Sequence, residues 1–428
     1  MEKIRYEKLN ETLYVDRLDN GLTVYVLPKS GFQKTYATFA TRYGSIDNHF
    51  RVEGKEEVKV PDGIAHFLEH KMFEEPSGDI FATFASQGAS ANAFTSFDRT
   101  VYLFSATGQI EENLTTLVNF VQNPYFTDEN VEKEKGIIGQ EIKMYEDHPD
   151  WRVYFGLIEA MYHTHPVRID IAGTVQSISQ ITKETLYECY HTFYHPSNMS
   201  LFIVGGVNPE QIFQWVRDNQ QAKTFADQGS IHRYFPVESA EVKEHVKTTI
   251  LPVSEPKCMF GFKEPSESLD GAALLRKELV TKVMMDLLFS QSSAVYQTLY
   301  DENLISDSFG YNYNCTPEYS FSMIGGDTPD PDKLLQRVEQ LLKGVLKEGI
   351  SKEDFERSRK KKIGGYLRML NSPEAMANQF TAYLFMGSDF FSILPIYEEM
   401  TLEEVNQRLA DHFQWDRMAV SIVRKERG

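Results

Sequence analysis

His66-Phe67-Leu68-Glu69-His70 holds the residues of this chain whose types and spacing are best suited to chemistry. On a helix, at about 100° and 1.5 Å per residue, the two imidazoles lie roughly 40° and 6 Å apart on one face, so one metal ion can bridge them. Glu69 falls about 60° to the other side of His66, where its carboxylate can reach a water on that ion without being a ligand. This is the geometry of a general base, in the inverse order of the HExxH spacing. Chance competes weakly. With 11 histidines in 428 residues, about 0.3 pairs at i,i+4 are expected, and an acid at a fixed interior position lowers this to about 0.04. A second pair, His191 and His195 in HTFYH, has no acid between its members and reads as packing.

A hydrolytic zinc site takes three protein ligands and leaves one position open. Glu141 is the best candidate for the third, on a helix expected from Asn130 to Glu146. Glu134 lies on the same side, because seven residues turn through about 700°. One of the two can ligate and the other support, and each has a solvated surface position as its alternative.

The elements that must carry these residues are readable from pattern. Leu18 to Pro28 and Thr35 to Arg42 alternate as strands, and a helix opens after Pro61-Asp62-Gly63, with Asp62 as its expected cap. Ala89 to Ser105 is strand-like, Ile110 to Val121 has helical period, and His148 before Pro149 marks a helix stop. The second half repeats this order. Pro196–Gly205 resembles Asp416–Arg424, and Thr127–Met144 resembles Ser351–Met369. The expected fold, to which this repeat and the family resemblance given below both point, is α+β, with two homologous domains facing across a chamber, each a mainly antiparallel sheet covered by helices. Residues 1–220 form the zinc-binding catalytic domain, 221–242 a polar linker, and 243–428 a domain of the same fold without a metal site.

Composition fits a soluble globular chain, with 41% hydrophobic and 25% charged residues. The net charge of −18 disfavours nucleic acid and anionic membranes as partners and tolerates basic peptides. Three widely spaced cysteines offer no disulfide framework, and no apolar run reaches about 18 residues, so a cytoplasmic setting is expected. His163-Thr-His165-Pro166 reads as a polar loop, and the basic stretch Arg357 to Lys362 as a solvated helix face.

PDGIAHFLEHKMF, SANAFTSFDRTVY and ENVEKEKGIIGQEI, in that order, resemble the pitrilysin or insulinase family of zinc metallopeptidases, in its short processing-peptidase-like bacterial branch. LDNGLTVYVLP, YGSIDN and YHPSNMSLFIVGG extend the likeness over the first half. The resemblance implies one zinc ion per chain held by His66, His70 and Glu141, with Glu69 as base and Glu134 supporting a ligand. It also implies that Asn92, Ala93 and Phe94 lie on an edge strand to which a peptide substrate adds; the alternative is an ordinary core strand. Active members resemble one another in an Arg and a Tyr seven residues apart in the second half, which help hold the substrate carbonyl. Here Tyr300 and Asp307 stand at those places, and Tyr311 or Tyr313 is the alternative anchor. The expected protein is therefore a zinc endopeptidase acting as a dimer, whose related partner subunit supplies the missing Arg and Tyr. The competing expectation is a non-proteolytic scaffold or assembly subunit of the same fold.

Overall fold

The computed structural model describes residues 1–76, 78–265 and 267–426. The chain divides into two compact units. The first comprises Met1–Ile142, Asp170–Phe235 and Met369–Phe385; the second comprises Lys143–Ile169, Pro236–Arg368 and Met386–Gly428.

Seven strands form the main sheet of the first unit: β1 (Glu2–Tyr6), β2 (Glu11–Arg17), β3 (Thr23–Pro28), β4 (Thr35–Thr41), β5 (Ala89–Thr95), β6 (Thr100–Ala106) and β7 (Met199–Gly205). Their order is β1-β2-β3-β7-β4-β6-β5, antiparallel except for the parallel pair β3 and β7. All seven residues of β4 and of β7 are buried, which half-covered strands would not show. The cause is a helix on each face. Ala37, Phe39, Leu201 and Ile203 enter the main core, whereas Phe202 stacks on Phe380, with ring centroids 4.3 Å apart, and Thr38 bonds Thr381 at 3.1 Å. Both partners belong to the helix Pro373–Phe385, contributed by the far end of the chain.

The second unit repeats this plan. Its strands are β8 (Val246–Ile250), β9 (Lys257–Glu264), β10 (Gly310–Cys315), β11 (Ser320–Asp327) and β12 (Met418–Arg424), in the order β8-β12-β9-β11-β10. Here β8 and β12 are parallel and the other pairs antiparallel, the same pattern as β3-β7-β4-β6-β5. The likeness of 196–205 to 416–424 is thus a likeness of place, since both segments lead into the strand beside the parallel neighbour. The helix Pro149–Met161 covers β8, β9 and β12. It approaches so closely that a Cβ on Gly156 would lie 2.5 Å from Ser421 Oγ. Each unit's sheet therefore carries one helix that follows the long helix of the other half.

Two expectations about connections change. Pro149 follows a helix that ends at Glu146, as expected, but it also occupies the first turn of the next helix, with His148 as its cap. Within 221–242, read as connector, Ile231–Arg233 is a strand paired antiparallel to His49–Val52.

The second unit is stitched by a buried polar network. His412 Nδ1 lies 2.5 Å from Glu264 Oε1, and its Nε2 lies 2.8 Å from Ser322 Oγ. Arg408 also bonds Glu264, while Lys277 and the Tyr313 hydroxyl reach the other carboxylate oxygen at 2.9 and 2.7 Å. The serine, histidine and carboxylate stand in the order of a hydrolytic relay, but all three are buried and Ser322 Oγ accepts the Phe262 amide, so the contacts are structural. Burial opposes ionisation of Glu264, yet the His412 bond and the charges of Arg408 and Lys277 outweigh it and hold the carboxyl well below its usual range. Burial also holds His412 below the ordinary histidine value. In both cases the unfolded chain takes up its proton first as pH falls. The stability that these two groups contribute is therefore present above about pH 6.5 and declines below it, first through His412 and then through Glu264. In denaturant unfolding at pH 7.5 and 5.5, His412→Gln should lose less stability than wild type over that interval. An equal loss would show that His412 does not contribute to it.

Candidate metal centre and active site

The helix α1 (Ile64–Met72) carries the motif, and α2 (Asp128–Glu146) carries Glu134 and Glu141. Asp62 does not cap α1. Its carboxylate accepts from Asn48 Nδ2 at 2.7 Å, and the N-terminal position is Gly63, at φ +88°. Only glycine serves there, because a Cβ would fall 2.4 Å from the Ala172 carbonyl oxygen. The turn that aims α1 is thus fixed by close packing rather than by a side-chain cap.

His66, His70 and Glu141 come together, with one donor atom from each within 4.8 Å of the others. His66 Nε2 lies 3.8 Å from Glu141 Oε1, and His70 Nε2 lies 3.6 Å from Glu141 Oε2. Two imidazole nitrogens and one carboxylate oxygen at such spacing fit zinc, which accepts nitrogen and oxygen ligands and would draw them inward. Glu134 Oε1 lies 3.1 Å from His70 Nδ1, so the Nε2 face of that ring is turned to the cluster, the arrangement in which an outer carboxylate orients a metal-binding histidine. The Nδ1 of His66 is buried and, among the described residues, has no hydrogen-bond partner. Burial, reinforced by the neighbouring His70, pushes the His66 pKa down to about 3, so this ring is neutral and able to ligate at ordinary pH. Burial also lowers the basicity of His70, but the Glu134 bond and the surrounding carboxylates reverse this and raise its pKa.

Glu69 is buried and outside the three-donor cluster. Its Oε2 accepts from Thr95 Oγ1 at 2.9 Å. Burial raises its pKa, partly offset by His70 and the Thr95 bond. Among the described residues no protein donor reaches Oε1, which stays available to a water.

Two residues that sequence reasoning passed over support this arrangement. Lys71 is fully buried, bonds Glu74 and lies 3.7 Å from Glu134 Oε2, so it holds the carboxylate that holds His70. A lysine inside an amphipathic helix carries no signal of this kind in the sequence. Thr95 is the other.

β5 stands at the end of the sheet, paired on one side with β6: Asn92 opposite Leu103, Ala93 opposite Tyr102 and Phe94 opposite Val101. Asn92 is exposed and Ala93 and Phe94 half-buried, so this is an edge rather than a core strand. The Ala93 amide donates to Asn92 Oδ1 at 2.9 Å.

Among the described residues the other histidine motifs form no such three-donor cluster. Successive backbone amides of His163, Thr164 and His165 donate to the Glu238 carboxylate at 2.8, 2.9 and 2.8 Å. His195 is satisfied at both ring nitrogens, by Ser197 Oγ and the Ala226 carbonyl, and His191 stacks on Tyr187. In the basic stretch, Lys361 and Lys362 pair with Asp286, which also accepts from Tyr311. Among the described residues His66, His70 and Glu141 form the one cluster able to hold a metal ion.

Fold and cluster together define a class: a duplicated α+β chain whose first half carries three donors able to hold a metal ion, two of them on an inverted histidine–glutamate motif. The chain belongs to the M16 (insulinase) peptidase family. Residues 55–175 match the family model described as insulinase (peptidase family M16), and 180–362 match that of the peptidase M16 inactive domain. The uncharacterised zinc protease YmfH of Bacillus subtilis (strain 168) is 53% identical over 426 residues, covering 99% of each chain. An M16-like peptidase from Alicyclobacillus acidocaldarius superposes with a TM-score of 0.95 at 44% identity, over 99% of this chain and 100% of that one. A Helicobacter pylori protease shares the fold at 18% identity, with a TM-score of 0.81 over 96% and 99% of the two chains. No helix among the described residues is long and apolar enough to cross a membrane.

Proposed function

We propose that this protein is a zinc-dependent endopeptidase that takes peptides or unfolded segments as an added strand along β5. The observation that carries the reading is the convergence of His66, His70 and Glu141 within 4.8 Å, with Glu69 beside them and outside the set. The YmfH relative, named a zinc protease, supports it. In this reading His66, His70 and Glu141 hold one zinc ion, which when bound supplies Lewis-acid polarisation and makes a water acidic near neutral pH. Glu69 takes the proton of the attacking water on Oε1 and passes it to the leaving amine. Glu134 and Lys71 keep the His70 ring turned, and the edge of β5 holds the substrate main chain. A related subunit carrying the Arg and Tyr for which this chain has Tyr300 and Asp307 completes the site.

Metal analysis of the purified chain tests this. About one zinc per chain is expected, with His70→Ala losing both metal and cleavage. Glu134→Gln should weaken zinc affinity about 10- to 100-fold, as other outer-carboxylate losses do. A protein without stoichiometric zinc, whose His70→Ala variant cleaves as well as wild type, would refute the assignment.

A further inference from the structure

The contact between Thr95 and Glu69 joins the two halves of the proposed reaction. β5 runs directly into a turn, closed by the Ser96 amide donating to the Arg99 carbonyl at 2.8 Å. That turn is pinned. The Ser45 and Ile46 amides donate to the Ser96 and Phe97 carbonyls at 3.1 and 3.0 Å, and a Cβ on Gly44 would lie 2.3 Å from the Phe97 carbonyl. Thr95 pairs with Thr100, whose hydroxyl donates to the Tyr43 carbonyl at 2.9 Å and lies 3.5 Å from Thr95 Oγ1. Thr95 is therefore held in place from the backbone outward, and its single hydroxyl proton goes to Glu69 Oε2.

A glutamate side chain has several rotatable bonds, and burial alone does not select the rotamer that presents Oε1 to a water. Thr95 does, by occupying Oε2. It also lies three residues beyond Asn92 on the strand to which the substrate would add. A peptide paired with that edge is then in fixed register with the carboxylate, because both are tied to one strand. We propose that Thr95 is the positioning residue that locks the base to the substrate-binding strand. This rests on the peptidase reading above.

Thr95→Val keeps the shape and β-branching of the side chain and removes only the donor. In the zinc-loaded enzyme, with the partner subunit present if turnover requires it, cleavage of fluorescein-labelled β-casein should show kcat reduced about 10- to 100-fold. KM should stay within about twofold, and Thr95→Ser should recover kcat to within about threefold of wild type, since it restores the hydroxyl. Zinc content, and the anisotropy of labelled β-casein on the zinc-free chains, should match wild type in both variants. If Thr95→Val does not fold, Thr95→Ala takes its place with the same expectations. A threonine-free variant with unchanged kcat beside an active, zinc-loaded wild type overturns the positioning role and leaves the peptidase reading standing. So does a rise in KM alone, which would assign Thr95 to the strand only. Failure of Ser to rescue kcat also overturns it, and a wild type without zinc or cleavage overturns both readings.

Discussion

Glu69→Gln should reduce kcat by about 10² to 10⁴, the range ascribed to a positioned proton-transfer group, while the protein keeps its zinc. The two halves of this result come from the same geometry. Glu69 is adjacent to a proposed ligand in sequence, yet its carboxylate lies outside the set of donors within 4.8 Å and is bonded to Thr95 instead. The amide of glutamine can keep the Thr95 bond through its carbonyl oxygen, so the local structure survives. What it cannot do is accept a proton from water. Parallel measurement of zinc content and of casein cleavage distinguishes the roles: loss of metal would make Glu69 a ligand, and undiminished cleavage would remove it from the reaction. A variant that keeps zinc and performs the cellular task as well as wild type would favour a scaffolding role, a reading to which the inactive-domain match of residues 180–362 gives some weight.

How much of this was readable beforehand depends on whether the determining force is local. The period that places His66, Glu69 and His70 on one helix, and Glu134 and Glu141 on another, is set by backbone geometry and survives any tertiary context. The internal repeat was readable for the same reason, since strands flanking a parallel pair leave similar text in both halves. The start of α1 was not. Asp62 has the chemistry of a cap, but the close approach of Ala172, more than 100 residues away, decides that Gly63 occupies the position. The two helices 149–161 and 373–385 were hidden in another way. Their apolar patterns say that each must be covered, and nothing in a pattern says which sheet covers it. The strand Ile231–Arg233 is too short at three residues to show a period. Lys71 and Thr95 act through single long-range contacts, to Glu134 and Glu69, which no spacing rule encodes.

The second large effect expected is that co-expression with a related subunit raises peptidase activity about 10²- to 10³-fold over the isolated chain. That is the usual cost of one missing donor to a developing oxyanion. Tyr300 and Asp307 stand at the places where the family resemblance leads one to look for an Arg and a Tyr. Tyr300 lies 46% exposed on the helix Ala294–Asp301, and Asp307 is an exposed carboxylate, which is no donor to an oxyanion. The alternative anchors are engaged elsewhere: the Tyr311 hydroxyl donates to Asp286 and that of Tyr313 to Glu264, each at the heart of a charged cluster. Pulling either phenol away would break its charge-assisted hydrogen bond to a buried carboxylate, even though Lys361 or Arg408 would still pair with that carboxylate, so recruitment of these tyrosines during turnover is costly. A homodimer would duplicate the deficit, whereas a related chain with the Arg and Tyr intact removes it. Mutating that Arg and that Tyr in turn should return the pair to the activity of the isolated chain, with zinc content unchanged. Full activity of the isolated chain, unimproved by any relative, would show that Tyr300 and Asp307 do not mark an incomplete site.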